Sequence, residues 1–383
     1  MLMPFDTDNS VLRRLARLPL RSLAFLKYPL TVQNHTYTYV SLDTLSRSLN
    51  ELEIYRSPRT DTPFLAVQKL GIRETALRTF VADATTAFPN VSHLVLRQPD
   101  MNFARGVAFN KERLEDARTH NKTQWESPQY RDAWPSVSAI WAADPSFLYQ
   151  LGFARRVASV SLRMGSLVSE EYIKPVLADT SPSSLELRVD MGSFGYAETN
   201  WGRVLEGSES IRSLTLLLYP SYSLGDDNRR VGSMLKRLSA ILPTLPSLTH
   251  FLIRFAPKPY EPGSELYMSW DCPPWPSQTQ IDVAYDAIQN HLRILAARST
   301  SLRWIGYEAC GWGIKSWDIS RSADNGSRGG SDSLAGGDDS AARQHTSTGV
   351  EIAEMGESES VAVVKSEGMN VFKDVRPILL LVF

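Results

Sequence analysis

The chain has 383 residues, a hydrophobic fraction of 43%, and 41 Lys+Arg against 42 Asp+Glu, for a net charge of −1. That balance argues against a nucleic-acid binder driven by bulk charge. Its two cysteines, Cys272 and Cys310, are too few for a disulfide framework or a four-ligand zinc site. No run approaches the roughly 20 apolar residues that span a bilayer. The opening ten residues hold Asp6 and Asp8 and lack the apolar core of a signal peptide. The expectation is an intracellular protein, cytoplasmic or nuclear, with neither membrane nor nucleic acid as partner.

Along the chain one phrase recurs: apolar-x-x-apolar-x-apolar. An early copy is Leu20-Arg-Ser-Leu23-Ala-Phe25. Leu42, Leu45 and Leu49, spaced by three and four, then mark a helix that leads into Leu49-Asn-Glu-Leu52-Glu-Ile54. The stripe Leu77, Phe80, Val81, Ala84, Phe88 precedes Val91-Ser-His-Leu94-Val-Leu96. Asp144-Pro145 begins a helix, with Asp as N-cap and Pro in the first turn, whose buried face is Phe147, Leu148 and Leu151. Val157-Ala-Ser-Val160-Ser-Leu162 follows it. Ser169 can cap a helix over 170–177, ahead of the shorter copy Ser184-Leu185-Glu-Leu187. Trp201, Val204 and Leu205 precede Ile211-Arg-Ser-Leu214-Thr-Leu216. Val231, Met234, Leu235, Leu238, Ile241 and Leu242 form the clearest stripe, stopped by Pro243, before Leu248-Thr-His-Phe251-Leu-Ile253. Ile288, Leu292 and Leu295 precede the last copy, Leu302-Arg-Trp-Ile305-Gly-Tyr307.

Alternation at the end of each copy is the mark of a strand with one buried face. Helix, turn and strand therefore recur in fixed order. Such a unit cannot bury its own apolar side, so units must stack. The predicted fold is α/β: an irregular leucine-rich-repeat solenoid over 1–319, with a curved parallel sheet and outer helices. Steps between central apolar positions are uneven: 42 residues from Leu52 to Leu94, 25 from Val160 to Leu185 and 37 from Leu214 to Phe251. Such repeats usually run about 20–29 residues, so insertions are expected at about 101–135 and 256–280. The first has the mixed charge of a solvated helix or loop. The competing architecture is a doubly wound α/β domain.

These irregular copies, Ile211-Arg-Ser-Leu214-Thr-Leu216 and Leu248-Thr-His-Phe251-Leu-Ile253 above all, resemble the repeat region of fungal F-box/leucine-rich-repeat proteins, over roughly Leu42 to Tyr307. The resemblance implies a substrate-recognition repeat domain related to ubiquitin-ligase adaptors, and cullin-type ligase components as partners. An F-box opens with a Leu-Pro-x-Glu-Leu type helix start. Residues 1–40 offer only Leu18-Pro19-Leu20-Arg21, followed by strand-like sequence, so no F-box is recognised.

Strand phase places Val95 and Arg97 opposite the core side, and the same offset gives Arg163, Arg188 and Arg254, with Tyr55, Leu217 and Glu308 in the other copies. Four arginines at one phase suggest a positive column that grips an acidic or phosphorylated protein segment. The second insertion offers aromatic anchors set among prolines: Tyr260, Tyr267, Trp270 and Trp275. No catalytic, cofactor-binding or metal-binding residue is assigned. His93 and His250 share one repeat position, which repeat geometry explains better than metal binding. No H-E-x-x-H, G-x-S-x-G, P-loop or G-x-G-x-x-G is present. The expected function is a non-enzymatic protein-interaction scaffold that needs no cofactor and binds a protein partner. The rivals are a small-molecule enzyme on an α/β fold and a degenerate family member without activity. Residues 320–360 are Ser/Gly-rich and acidic and read as a disordered linker. The segment 361–383 regains hydrophobicity, and one reading adds it to the last repeat as a strand.

Overall fold

The computed structural model describes residues 2–3, 21–25, 49–54, 63–72, 80–97, 111–164, 167–190, 199–219, 224–255, 289, 291, 293–309, 313–321, 344–345 and 350–369. The fold is mixed α/β, and its strands are mostly parallel. The residues expected as one body over 1–319 fall into two compact units, the first running to Pro182 and the second beginning at Ser183. Among the described residues the strands of neither unit close on themselves.

In the first unit β1 (Leu2–Met3), β2 (Ser22–Phe25), β3 (Glu51–Ile54), β4 (Lys69–Ile72), β5 (His93–Leu96), β6 (Ala139–Ala142) and β7 (Ser159–Met164) each lie parallel to the next. Their register puts Leu23, Leu52, Leu70, Leu94, Ile140 and Val160 side by side. Strands β1, β4 and β6 were not expected. Val67-Gln-Lys-Leu70-Gly-Ile72 and Val137-Ser-Ala-Ile140-Trp-Ala142 carry the same phrase, and their apolar positions are buried. The 42-residue step is thus two repeats, 18 residues from Leu52 to Leu70 and 24 from Leu70 to Leu94.

The repeat extends to the backbone. From β2 to β5, the residue just before the strand offers one carbonyl to two consecutive N–H groups at the entry to the next strand. Arg21 accepts from Asn50 and Glu51, Asn50 from Gln68 and Lys69, Gln68 from Ser92 and His93, and Ser92 from Ser138 and Ala139. Parallel strands satisfy their entering N–H groups this way only if every repeat turns into its strand alike.

Helices α1 (Phe80–Ala87), α2 (Lys111–Glu126), α3 (Pro145–Leu151) and α4 (Leu167–Thr180) complete this unit. The predicted N-cap of α3 is present, with the Asp144 carboxylate accepting from Ser146 N; at the other end Gly152, at φ 62°, closes the helix. The first insertion is a helix, as its charge pattern allowed, but not a freely solvated one. In α2, Leu114, Ala117, Asn121 and Trp125 are buried. Arg118, Asn121 and Trp125 donate to the carbonyls of Tyr149, Gln150 and Leu151, the last turn of α3. A helix end leaves such carbonyls without internal partners, so α2 serves as the C-terminal cap of α3.

In the second unit β8 (Ser184–Asp190), β9 (Ser213–Tyr219), β10 (His250–Phe255) and β11 (Trp304–Ala309) are parallel, with Leu185, Leu214, Phe251 and Ile305 in register. The shared carbonyl recurs: Ser183 accepts from Arg212 and Ser213, Arg212 from Thr249 and His250, and Thr249 from Arg303 and Trp304. Helices α5 (Trp201–Val204) and α6 (Leu224–Ile241) lie between these strands in sequence, and a 3-10 turn at Leu242–Thr244, containing Pro243, ends α6.

The chain then reverses. Strand β12 (Gly313–Arg321) is antiparallel to β11, β13 (Gln344–His345) is antiparallel to β14 (Val350–Met355), and β14 is antiparallel to β12. Helix α7 (Glu357–Ser366) follows. These elements correct the expected linker over 320–360 at both its ends. Acidic composition there hides a short strand: Val350 and Ile352 are buried on β14, with Glu351 and Glu354 between and after them. The added strand lies before residue 361, and the segment expected from 361 opens within α7. Most of residues 322–349, and those from 370 on, lie outside the described residues.

Candidate functional site: the strand face opposite the core

Each strand has a face that carries the central apolar residues and an opposite face. In the first unit the opposite face bears Glu51 and Glu53, Lys69 and Gly71, then His93, Val95 and Arg97, then Ala139 and Trp141. Glu53 reaches across the neighbouring strand: its Oε1 lies 3.0 Å from Nε of Arg97. Gly71, its partner on β4, makes the crossing possible, because a Cβ there would stand 2.9 Å from Cγ of Glu53. The Arg97 guanidinium lies 5.6 Å from the centre of the Trp141 ring. Val95, Ala139, Trp141 and Ala143 form an apolar cluster beside it.

In the second unit the same phase gives Glu186 and Arg188 on β8, Thr215 and Leu217 on β9, Leu252 and Arg254 on β10, and Gly306 and Glu308 on β11. Arg188 Nε donates to Glu186 Oε1 at 2.7 Å. Arg254 stands between two carboxylates, with Nη2 2.7 Å from Glu308 Oε2 and Nη1 3.9 Å from Glu186 Oε2. Arg188 and Arg254 are 7% and 6% exposed. Burial acts to lower the Arg188 pKa, but Glu186 and Tyr219 outweigh it and raise the pKa. The group is electrically neutral, two arginines to two glutamates.

This corrects the expected positive column. Strand phase put Arg97, Arg188 and Arg254 on the predicted face, yet each is matched by a glutamate, and two are out of water. Burying a charge without a partner is too costly, so the strands supply both signs. Arg163 and Asp144 are both half-buried, and the arginine's charge acts on the Asp144 carboxyl, whose pKa is raised by burial in spite of the arginine. Tyr260, Tyr267, Trp270 and Trp275, like Cys272 and Cys310, lie outside the described residues.

Sequence reasoning also missed what covers part of the second unit's face. Val364 of α7 and Met369 form a cluster with Leu252, Trp304 and Ile314, bordered by Met355 and Val363. Ser316 and Ser360 share a hydroxyl hydrogen bond of 2.6 Å, Ser213 Oγ donates to Glu367 Oε2 at 3.3 Å, and Arg254 Nη1 donates to Met369 O at 3.4 Å. Trp304 lies along its own strand over Gly306, where even a methyl group would collide with the ring. The hint in the sequence was Ser360, Val364 and Glu367 at helical spacing, inside a stretch that looked too acidic to fold.

The two histidines at one repeat position make one contact: His93 Nδ1 lies 2.9 Å from Ser92 Oγ, and His250 Nδ1 2.8 Å from Thr249 Oγ1. Burial lowers the pKa of both. At His250 the opposing pull of Glu367, 3.4 Å away, is smaller than the burial effect, and Arg212 and Arg303 add to the lowering. Among the described residues no three His, Cys, Asp or Glu side chains gather to hold a metal ion, and no helix is long and apolar enough to cross a membrane. No protein-family model and no curated protein matches the chain.

Proposed function

We propose that the chain is a non-catalytic protein-binding scaffold, an irregular leucine-rich-repeat solenoid that uses the strand face opposite its core. The observation that carries this reading is the repeat itself. One apolar position stays in register from strand to strand, and before seven of the strands one carbonyl accepts from two consecutive N–H groups at the entry to the next strand. Nearest-neighbour stacking of this kind presents a long strand face to partners. Lys69 and Glu51 are part-exposed on the first unit's opposite face, 26% and 35% at the side chain. A role in substrate recognition for a cullin-type ubiquitin ligase rests on the resemblance to F-box/leucine-rich-repeat proteins alone.

Affinity purification of the full chain, followed by amine cross-linking and mass spectrometry, tests the reading. Lys69 samples the opposite face, and Lys111, 65% exposed on α2, samples a helix. A specific protein partner that cross-links through Lys69 supports the scaffold. A partner linked only through Lys111, or no protein retained by the folded chain, overturns it. Recovery of a cullin with its adaptor decides the ligase role.

A further inference from the structure

Helix α7 meets the second unit through three positions at helical spacing. Ser360 touches Ser316, Val364 enters the Leu252, Trp304 and Ile314 patch, and Glu367 reaches Ser213 and His250. These are positions i, i+4 and i+7, the spacing by which an amphipathic helix lies in a groove. Just before it, β14 adds to β12 antiparallel, from Ser316↔Met355 to Arg321↔Val350. That is how an extended peptide joins a sheet edge. The body contributes a receiving surface on β9, β10, β11 and β12, built before this segment in the chain.

Three features mark the segment as an occupant of that surface. Its apolar contribution is modest: Val350, Ile352, Val364 and Met369 are its buried apolar side chains, whereas Val361 is 49% exposed. Twenty-two residues lie between Arg321 and Gln344, enough chain length for β14 and α7 to leave while remaining joined to β12. The fit is also imperfect. Trp304 Nε1 is buried beneath the segment and finds no acceptor among the described residues. A buried donor without an acceptor is unfavourable, so an occupant that offered a carbonyl there would bind the same patch better than α7 does.

We propose that β14 and α7 are a tethered internal ligand, and that the surface they cover is the docking site for a partner peptide of the same chemistry. That peptide is a short strand with apolar residues at alternate positions, followed by a helix with a small hydroxyl, an aliphatic and an acidic residue at i, i+4 and i+7. The proposal rests on the scaffold reading and deepens it: the partner binds by replacing the chain's own segment. A tethered ligand holds an effective concentration that a free peptide must exceed, so the site stays closed to weak binders.

Two measurements on the full chain test it. Hydrogen exchange of the unaltered protein should show the amides of 350–369 opening about 100-fold more readily than those of β9, β10 and β11. A fluorescein-labelled peptide of residues 350–369 should bind the Val364→Asp chain and fail to bind the unaltered chain at the same concentration. Exchange of 350–369 only together with the sheet overturns the proposal, as does a folded Val364→Asp chain that ignores the peptide. If Val364→Asp does not fold, the exchange measurement decides alone. Neither readout requires a natural partner, so failure of the scaffold reading in cross-linking leaves both interpretable.

Discussion

On the first unit's opposite face a single glutamate, Glu53, leans over Gly71 to meet Arg97. On the second, Arg188, Glu186, Arg254 and Glu308 run in sequence over three strands, and a helix from the far end of the chain lies beside them. Both faces keep arginine where the repeat phase puts it, and both neutralise it with carboxylates. They differ in how far the arginines are from water. The Arg97 side chain keeps 16% exposure and a tryptophan ring alongside, whereas Arg188 and Glu186 side chains keep 9% and 5%. The less water remains, the more each charge depends on its partner.

That contrast is broken most strongly at Glu186. Glu186→Ala leaves Arg188 buried beside a weaker acceptor set and is expected to cost about 3–5 kcal/mol in urea unfolding. Adding Arg188→Met should recover much of the loss. Glu53→Ala in the first unit, where the guanidinium keeps some water, should cost less. Equal losses at the two sites would show that burial does not set the difference.

The glycines sharpen the comparison at the next level. Gly71→Ala must push Glu53 off its crossing, and Gly306→Ala must lift the Trp304 ring. Each is overpacking, and a loss of roughly 1–3 kcal/mol is expected from thermal or urea unfolding. Their local readouts should differ. Gly306→Ala should speed hydrogen exchange across 350–369, because the displaced ring lies under α7, and Gly71→Ala should leave that exchange unchanged. Exchange that is unaltered in Gly306→Ala would remove Trp304 from the seat of α7.

The smallest effect is a pH dependence. Burial holds the folded pKa of His250 below its ordinary value of 6.5. The neutral ring is therefore the one the folded state prefers. Stability from this group is fully present above about pH 6.5 and falls as pH drops toward the lowered folded value. Unfolding measured from pH 7.5 to 5.5 should show this loss, and His250→Gln should flatten it. His93 is lowered in the same direction by burial and by Lys69, so His93→Gln should remove its own share. Stability that rises on acidification would mean that Glu367 outweighs burial at His250.

The parallel strands were largely legible in the chain, but not all of them. Copies announced by a clear helical stripe, such as the one at Phe251 after the Leu238 and Leu242 stripe, were read directly. Val67-Gln-Lys-Leu70 and Val137-Ser-Ala-Ile140 carry the phrase without a stripe of that kind leading into them. The strand at Val350–Met355 was hidden because composition was averaged over a Ser/Gly-rich, acidic stretch. A window average cannot see that Val350 and Ile352 alternate with the acids. The faces of Arg97, Arg188 and Arg254 were right, and their surroundings were not, since phase tells which way a side chain points and not what meets it.

By itself the sequence determined the strand phrase, its period-two faces, the capped start of α3 and the side on which the arginines stand. All of these are short-range consequences of backbone geometry, settled within a few residues. Tertiary structure alone decided that Glu53 answers Arg97 across Gly71, that Arg254 sits between Glu186 and Glu308, and that Glu367 comes to Ser213 from 154 residues away. Those pairings depend on which strand lies beside which and on what returns to cover them. Burial then turns such neighbours into requirements, because a charge removed from water must be met by whatever the fold has brought within reach.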